Sequence, residues 1–166
     1  MVLMTEPDAL KPEEWDLWDR WMRAQRLLAQ EIDRRLQFEF GISKAEFSVL
    51  VTLLRTPGHK VRVVHLAESL GWEKSRVSHQ LTRMESRGFL ERTERGARGR
   101  RTGIGLTSKG RRLAESAITG HVGNVRRYFL ETLSPEQAAA IRAWSEQIIE
   151  RVELRGVDAA DGAARA

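Results

Sequence analysis

The 166-residue chain contains no cysteine, which excludes disulfides, thiolate metal sites and cysteine-based redox sensing. No run of about 18 apolar residues occurs, so neither a transmembrane helix nor a membrane partner is expected. Residues Met1 to Pro12 are polar and acidic and lack the basic stretch and apolar core of a secretory signal, so a cytoplasmic location is the expectation. His59, His65, His79 and His121 show no ligand spacing with a carboxylate, and no metal or cofactor is expected. No Ser/His/Asp set is placed by a motif, so an enzyme is not expected either. Gly103-x-Gly105 stands beside arginines and outside any βαβ context, which makes it poor support for a dinucleotide loop.

What is present is ordinary in amount and uneven in placement. A hydrophobic share of 41% with 31% charged residues fits a soluble globular protein, either one domain or one domain with a helical extension. The net charge is +5, but residues 60–112 hold 14 basic and 5 acidic residues, a net +9, while each flank carries −2. A basic centre between mildly acidic arms points to a polyanion bound by the centre alone.

Apolar spacing predicts a helix from Glu13 to about Phe40, with Trp15, Trp18, Trp21, Met22, Leu28, Ile32 and Leu36 on its stripe and Gly41 at its end. Ser43-Lys44-Ala45-Glu46 is a capping box for a second helix that carries Phe47, Leu50, Val51 and Leu54 and stops at Thr56-Pro57-Gly58. A short helix, Val64 to Leu70, turns at Gly71 into another that ends before Gly88. That is helix–turn–helix spacing. Phe89–Thr93 and Thr102–Leu106 read as strands joined by the arginine-rich loop Glu94–Arg101. Thr107 opens a long helix, with Leu113, Ala114, Ala117, Ile118, Val122, Val125 and Phe129 as its stripe. Ser134-Pro135-Glu136-Gln137 opens the last, whose expected buried face is Ile141, Trp144, Ile148 and Val152. The expected class is mainly α with a small two- or three-stranded β wing. Amphipathic terminal helices far from the basic centre need a covering surface, and the simplest is a second copy across a two-fold axis.

On a helical wheel, Leu81 and Met84 fall about 40° and about 340° from Val77, which defines an inward face for the helix before Gly88. The opposite face collects Ser75, His79, Thr82 and Ser86, flanked by Arg76 and Arg83, with Ser78 at the border. Hydroxyls and imidazole can bond to base edges or phosphates, and arginine can pair bidentately with guanine. Arg92, Arg95, Arg98, Arg100 and Arg101 crowd residues 92–101 against one acid, Glu94. Like charges this dense repel unless an anion neutralises them.

Leu66-Ala67-Glu68-x-Leu70-Gly71, Ser75-x-Val77-Ser78, Met84-Glu85-x-x-Gly88-Phe89-Leu90-x-Arg92, Arg98-Gly99-Arg100-Arg101 and Leu106-Thr107-x-x-Gly110 together resemble the MarR family of multiple-antibiotic-resistance-type regulators. The resemblance covers roughly residues 15–152. It implies a homodimer of winged helix–turn–helix subunits on pseudo-palindromic operator DNA, with repression relieved by a small molecule. By motif position, Lys74, Ser75, Arg76, Ser78, His79, Thr82 and Arg83 map to the recognition helix and Arg95, Arg98, Arg100 and Arg101 to the wing. The implied division is residues 13–40 and 107–153 for dimerisation and 43–106 for DNA binding, with the helix–turn–helix at 64–87, the wing at 89–106, and flexible termini at 1–12 and 154–166. Trp18, Trp21 and His65 are candidates for a pocket holding a small aromatic or phenolic effector, although the Trp15/Trp18/Trp21 stripe reads more readily as dimer core. Trp72 reads as packing, and His121 has no assigned role. One departure stands out. Where the family commonly carries an aspartate that pairs with an arginine and orients the wing, this chain has Arg98, so the wing is expected to be looser when free and to order on DNA.

Two other classes fit the basic centre. A sequence-neutral architectural nucleic-acid protein would bind random and selected duplexes alike. A winged helix that docks an acidic protein would normally centre on aromatic or aliphatic anchors, which the outward face of the second motif helix lacks.

Overall fold

In the computed structural model, residues 10–92 and 103–163 are described, with side chains to residue 154. The chain divides into two compact units, Met1–Asn124 and Val125–Ala166.

The first unit opens with helix α1 (Pro12–Phe40), which has proline in its first turn; the Glu14 carboxylate accepts from the Lys11 N–H at 2.7 Å. Gly41, at φ 64°, ends it. Helix α2 (Lys44–Arg55) begins with the expected capping box: the Glu46 N–H donates to Ser43 Oγ at 3.2 Å, and the Ser43 N–H donates to Glu46 Oε2 at 2.8 Å. A 3₁₀ turn over Pro57–His59 leads to strand β1 (Lys60–Arg62). Helices α3 (Val63–Leu70) and α4 (Lys74–Ser86) form the helix–turn–helix, followed by β2 (Leu90–Arg92) and β3 (Gly103–Leu106). The three strands make an antiparallel sheet of order β1-β3-β2, with Val61 opposite Ile104 and Arg92 opposite Ile104 on the other side.

The core lies between α2, α3, α4 and this sheet. Ile42, Val49, Leu50, Leu53, Leu66, Val77, Leu81, Met84 and Ile104 are completely buried, and Ala114 and Ala117 of helix α5 (Ser108–Tyr128) join them. His121 of α5 packs its ring on Phe47, centroids 4.7 Å apart. Burial pushes its pKa down, with Lys44 adding to the effect and Asp33 opposing it.

Strand β1 is the element the sequence reading did not place. Three residues in the pattern polar-apolar-polar are too few for a period to emerge, and only pairing with β3 makes them a strand.

In the second unit, a 3₁₀ turn (Leu130–Thr132) precedes helix α6 (Pro135–Ala163). Ser134 and Gln137 form its capping box, at 3.2 and 2.9 Å. The face expected to be buried is open in the single chain: Trp144 and Ile148 are each 42% exposed and Val152 64%. The same holds at the start of α1, where Trp15 and Trp18 are each 51% exposed. No helix among the described residues is long and apolar enough to cross a membrane.

Candidate nucleic-acid interface

Two matching turns set the position of α4. After α3, Gly71 takes φ 62° while the Trp72 N–H reaches back to the Ala67 carbonyl at 3.0 Å and the Gly71 N–H to that of Glu68 at 3.1 Å. After α4, Gly88 takes φ 73° while the Phe89 N–H bonds the Met84 carbonyl at 3.0 Å and the Gly88 N–H that of Glu85 at 2.9 Å. Both are Schellman closures, which need a residue tolerant of left-handed backbone.

Between these stops α4 buries Val77, Leu81 and Met84 completely, as the wheel predicts. It exposes Lys74, Ser75, Arg76, Ser78, His79, Thr82 and Arg83 on one continuous surface. These seven side chains are not equivalent. Thr82 Oγ1 donates to the Ser78 carbonyl at 3.0 Å, so its hydroxyl offers only lone pairs outward. The Arg76 guanidinium lies 4.3 Å from the centre of the Trp72 ring, a cation–π contact that steers the side chain along the surface. Trp72 therefore does more than pack. Arg83 donates to Gln80 Oε1. Lys74, Ser75, Ser78 and His79 have no side-chain partner among the described residues.

The sequence reading overlooked Gln80, which is 4% exposed on the inward face. It also counted Arg92 among the free wing charges. In the structure Arg92 Nε lies 3.1 Å from Glu85 Oε2, with both side chains 28% exposed, so it ties β2 to the end of α4. Arg95, Arg98, Arg100 and Arg101, and with them the expected looseness of the wing tip, lie outside the described residues. Lys60 and Arg62 on β1, also overlooked, are exposed and share one face of the sheet. They stand opposite Gly105 and Gly103, so no side chain of the central strand covers them. Neither has an acidic partner among the described residues.

Just beyond α4, Arg87 joins the helix to the start of α2. Its Nη1 donates to Glu46 Oε1 at 2.5 Å and its Nη2 to the Gly41 carbonyl at 2.8 Å, while its guanidinium sits 4.6 Å from the Phe89 ring centre. Burial pushes the Glu46 carboxyl up, but the Ser43 backbone N–H, the Arg87 guanidinium and the Ser43 hydroxyl outweigh it and hold the group below the ordinary carboxylate value. A depressed folded pKa gives stability that is fully present above the unfolded value and lost as pH falls through the folded one. Glu46→Gln should therefore cost about 1.5 kcal/mol near neutrality and flatten the acid limb of the stability curve. Urea melts on either side of the carboxylate range check both effects.

His65 is exposed on α3, with Nδ1 3.2 Å from Glu68 Oε2; Trp18 is exposed and Trp21 half-buried on α1. A groove of about 630 Å³ is lined by Asp33, Gln37, Lys44, Ser48, Trp72 and Arg76, among others. No cluster of side chains able to hold a metal ion occurs among the described residues.

The family model for MarR matches residues 42–97. The transcriptional regulator HosA of Escherichia coli O157:H7 is 32% identical over 114 residues, covering 68% of this chain and 82% of that protein. The chain belongs to the MarR family. Among solved MarR-family structures, AbsC from Streptomyces coelicolor superposes with a TM-score of 0.75 at 30% identity, covering 87% of this chain and 97% of that one. Sco3205 from the same organism, a MarR-family regulator crystallised in complex with DNA, gives 0.74 at 28% identity, covering 87% and 94%. The protein is thus a MarR-family transcriptional regulator, and the winged helix–turn–helix expected from its sequence is the MarR fold.

Proposed function

We propose that this regulator is a homodimeric, cytoplasmic repressor that reads a pseudo-palindromic operator with α4 and grips the flanking backbone with the wing. The observation that carries the reading is the outward face of α4, which bears hydroxyls, an imidazole and cations but no acid and no large apolar side chain, on a helix whose other face is locked into the core. Such a face has little to offer a protein partner and much to offer the major groove. The MarR regulator crystallised with DNA supports the same use of the fold.

Lys74, Ser75, Arg76, Ser78, His79, Thr82 and Arg83 then meet base edges or adjacent phosphates, and Arg95, Arg98, Arg100 and Arg101 contact the backbone or minor groove. Arg62 joins them: it faces Gly103, beside the wing-tip end of β3. The exposed apolar faces of α1 and α6 supply the dimer contact. Release by a small aromatic or phenolic effector follows from the family resemblance.

Selection from a random duplex library tests the central claim. A dimer should recover two half-sites about 34 Å apart. Arg83→Ala should relax preference at one base pair by about 1–3 kcal/mol. Arg100→Ala and Arg62→Gln should instead weaken all duplexes alike, each reducing the log–log salt slope by about 0.9. Equal affinity for selected and random duplexes would favour a sequence-neutral architectural protein.

A further inference from the structure

Gln80 does not belong, by its chemistry, where α4 places it. Its neighbours on the inward face are Val77, Leu81 and Met84, and it is nearly as buried as they are, at 4% exposed. The orientation of its carboxamide is fixed, because the Arg83 guanidinium has only donors and the atom facing it must be Oε1. That leaves Nε2 buried with no hydrogen-bond partner among the described residues. A leucine or methionine would fill the same volume without a stranded donor, so packing does not account for the amide. What the amide does is hold Arg83. Residues 80 and 83 are one helical turn apart, and this places the buried acceptor directly under an exposed arginine.

We propose that Gln80 is a positioning residue that presets the Arg83 guanidinium for the base it reads, setting operator specificity without touching DNA. The inference rests on the reading of α4 as the recognition helix. Gln80 occupies a donor on Nη2, one of five N–H donors on the guanidinium. One edge of the group is then tethered while other donors stay free for the bidentate pairing with O6 and N7 of guanine. An arginine already held loses less freedom when it binds. A hold of this kind sharpens discrimination between bases more than it raises affinity for DNA in general.

The test uses the full chain with Gln80→Leu and Gln80→Met, alone and combined with Arg83→Ala. Each is assayed on the duplex that the wild type selects from a random pool, on single-base variants of it and on random duplex. Gln80→Leu should melt at or above the wild-type temperature, since it removes the stranded donor. It should bind random duplex as the wild type does. Discrimination should fall about threefold to tenfold at the base pair that Arg83→Ala also affects, and the double variant should lose no more discrimination in total than Arg83→Ala alone. Gln80→Met should behave like Gln80→Leu and stands in for it if leucine does not fold. A variant that folds and keeps wild-type discrimination would overturn the proposal. A wild type with no preference between selected and random duplex would overturn the reading of α4 itself, whatever the Gln80 variants do.

Discussion

Gly110→Ala is expected to destabilise the protein by about 4 kcal/mol or more, lowering the melting temperature by roughly 8–16 °C. A Cβ at position 110 would stand 2.0 Å from the Phe89 carbonyl oxygen and 2.9 Å from its carbon. Both are backbone atoms, so no rotamer change relieves the clash. Nor can the carbonyl retreat easily, because it accepts from the Thr107 N–H at 3.1 Å. Thr107 Oγ1 meanwhile donates to the Gly88 carbonyl at 2.6 Å and accepts from the Gly110 N–H at 3.0 Å. One threonine thus caps α5 and fastens it to the corner that follows α4. A methyl group there must push apart the first turn of α5 and the residues that lead into β2. Phe89 and Leu90, 5% and 3% exposed, would lose their packing with it. Gly123→Ala is the matched control. It lies on the same helix with nothing within 4 Å of the added atom, and alanine is the better helix former by about 1 kcal/mol, so it should stabilise slightly. Thermal and urea melts of the two variants check the contrast. An unchanged melting temperature for Gly110→Ala would mean that α5 does not approach Phe89 this closely.

Gly110 also shows which parts of the molecule were legible beforehand. Its place in the motif Leu106-Thr107-x-x-Gly110 was visible, but the reason for it was not, because the clash is with a residue 21 positions earlier in a different element. Features set by neighbours along the chain were read correctly: the Ser43–Glu46 and Ser134–Gln137 boxes, the glycines that close α3 and α4, and the inward trio Val77, Leu81 and Met84. Features set across the fold were not. Arg92 and Glu85 are seven residues apart on a strand and a helix, and Arg87 meets Glu46 across 41 positions. Neither pairing has a period to betray it, so Arg92 was taken for a free charge. Gln80 was a different kind of miss. The wheel places it about 60° from Val77, well inside the inward face, but its polarity argued for the surface. The apolar stripes of α1 and α6 follow from spacing alone, and in the single chain Trp15, Trp18, Ile148 and Val152 on them are exposed.

Replacing Ile148 and Val152 together with glutamate should abolish self-association and lower operator affinity on the order of 1,000-fold. These positions lie one turn apart on α6 and are 42% and 64% exposed in the single chain. In a true monomer, two charges at such sites would change stability little, since substitutions at exposed positions away from special features usually stay within about 0.5 kcal/mol. Against a second copy, the same charges would be buried without partners, which an interface does not tolerate. Sedimentation should therefore show the wild type at twice the 19.0 kDa chain mass and the variant at that mass, with helix content retained. The loss of DNA binding follows from geometry. On the proposed reading one α4 meets one half-site, and only a dimer holds two of them about 34 Å apart so that binding the first brings the second into register. A monomer keeps the contacts of one half-site and the sequence-neutral attraction of its basic centre, so its binding to random duplex should fall far less than its binding to the operator. If instead both duplexes weaken in parallel, α6 contributes charge or fold to DNA binding rather than a dimer contact. If the variant still sediments as a dimer and binds normally, the two-fold axis passes elsewhere.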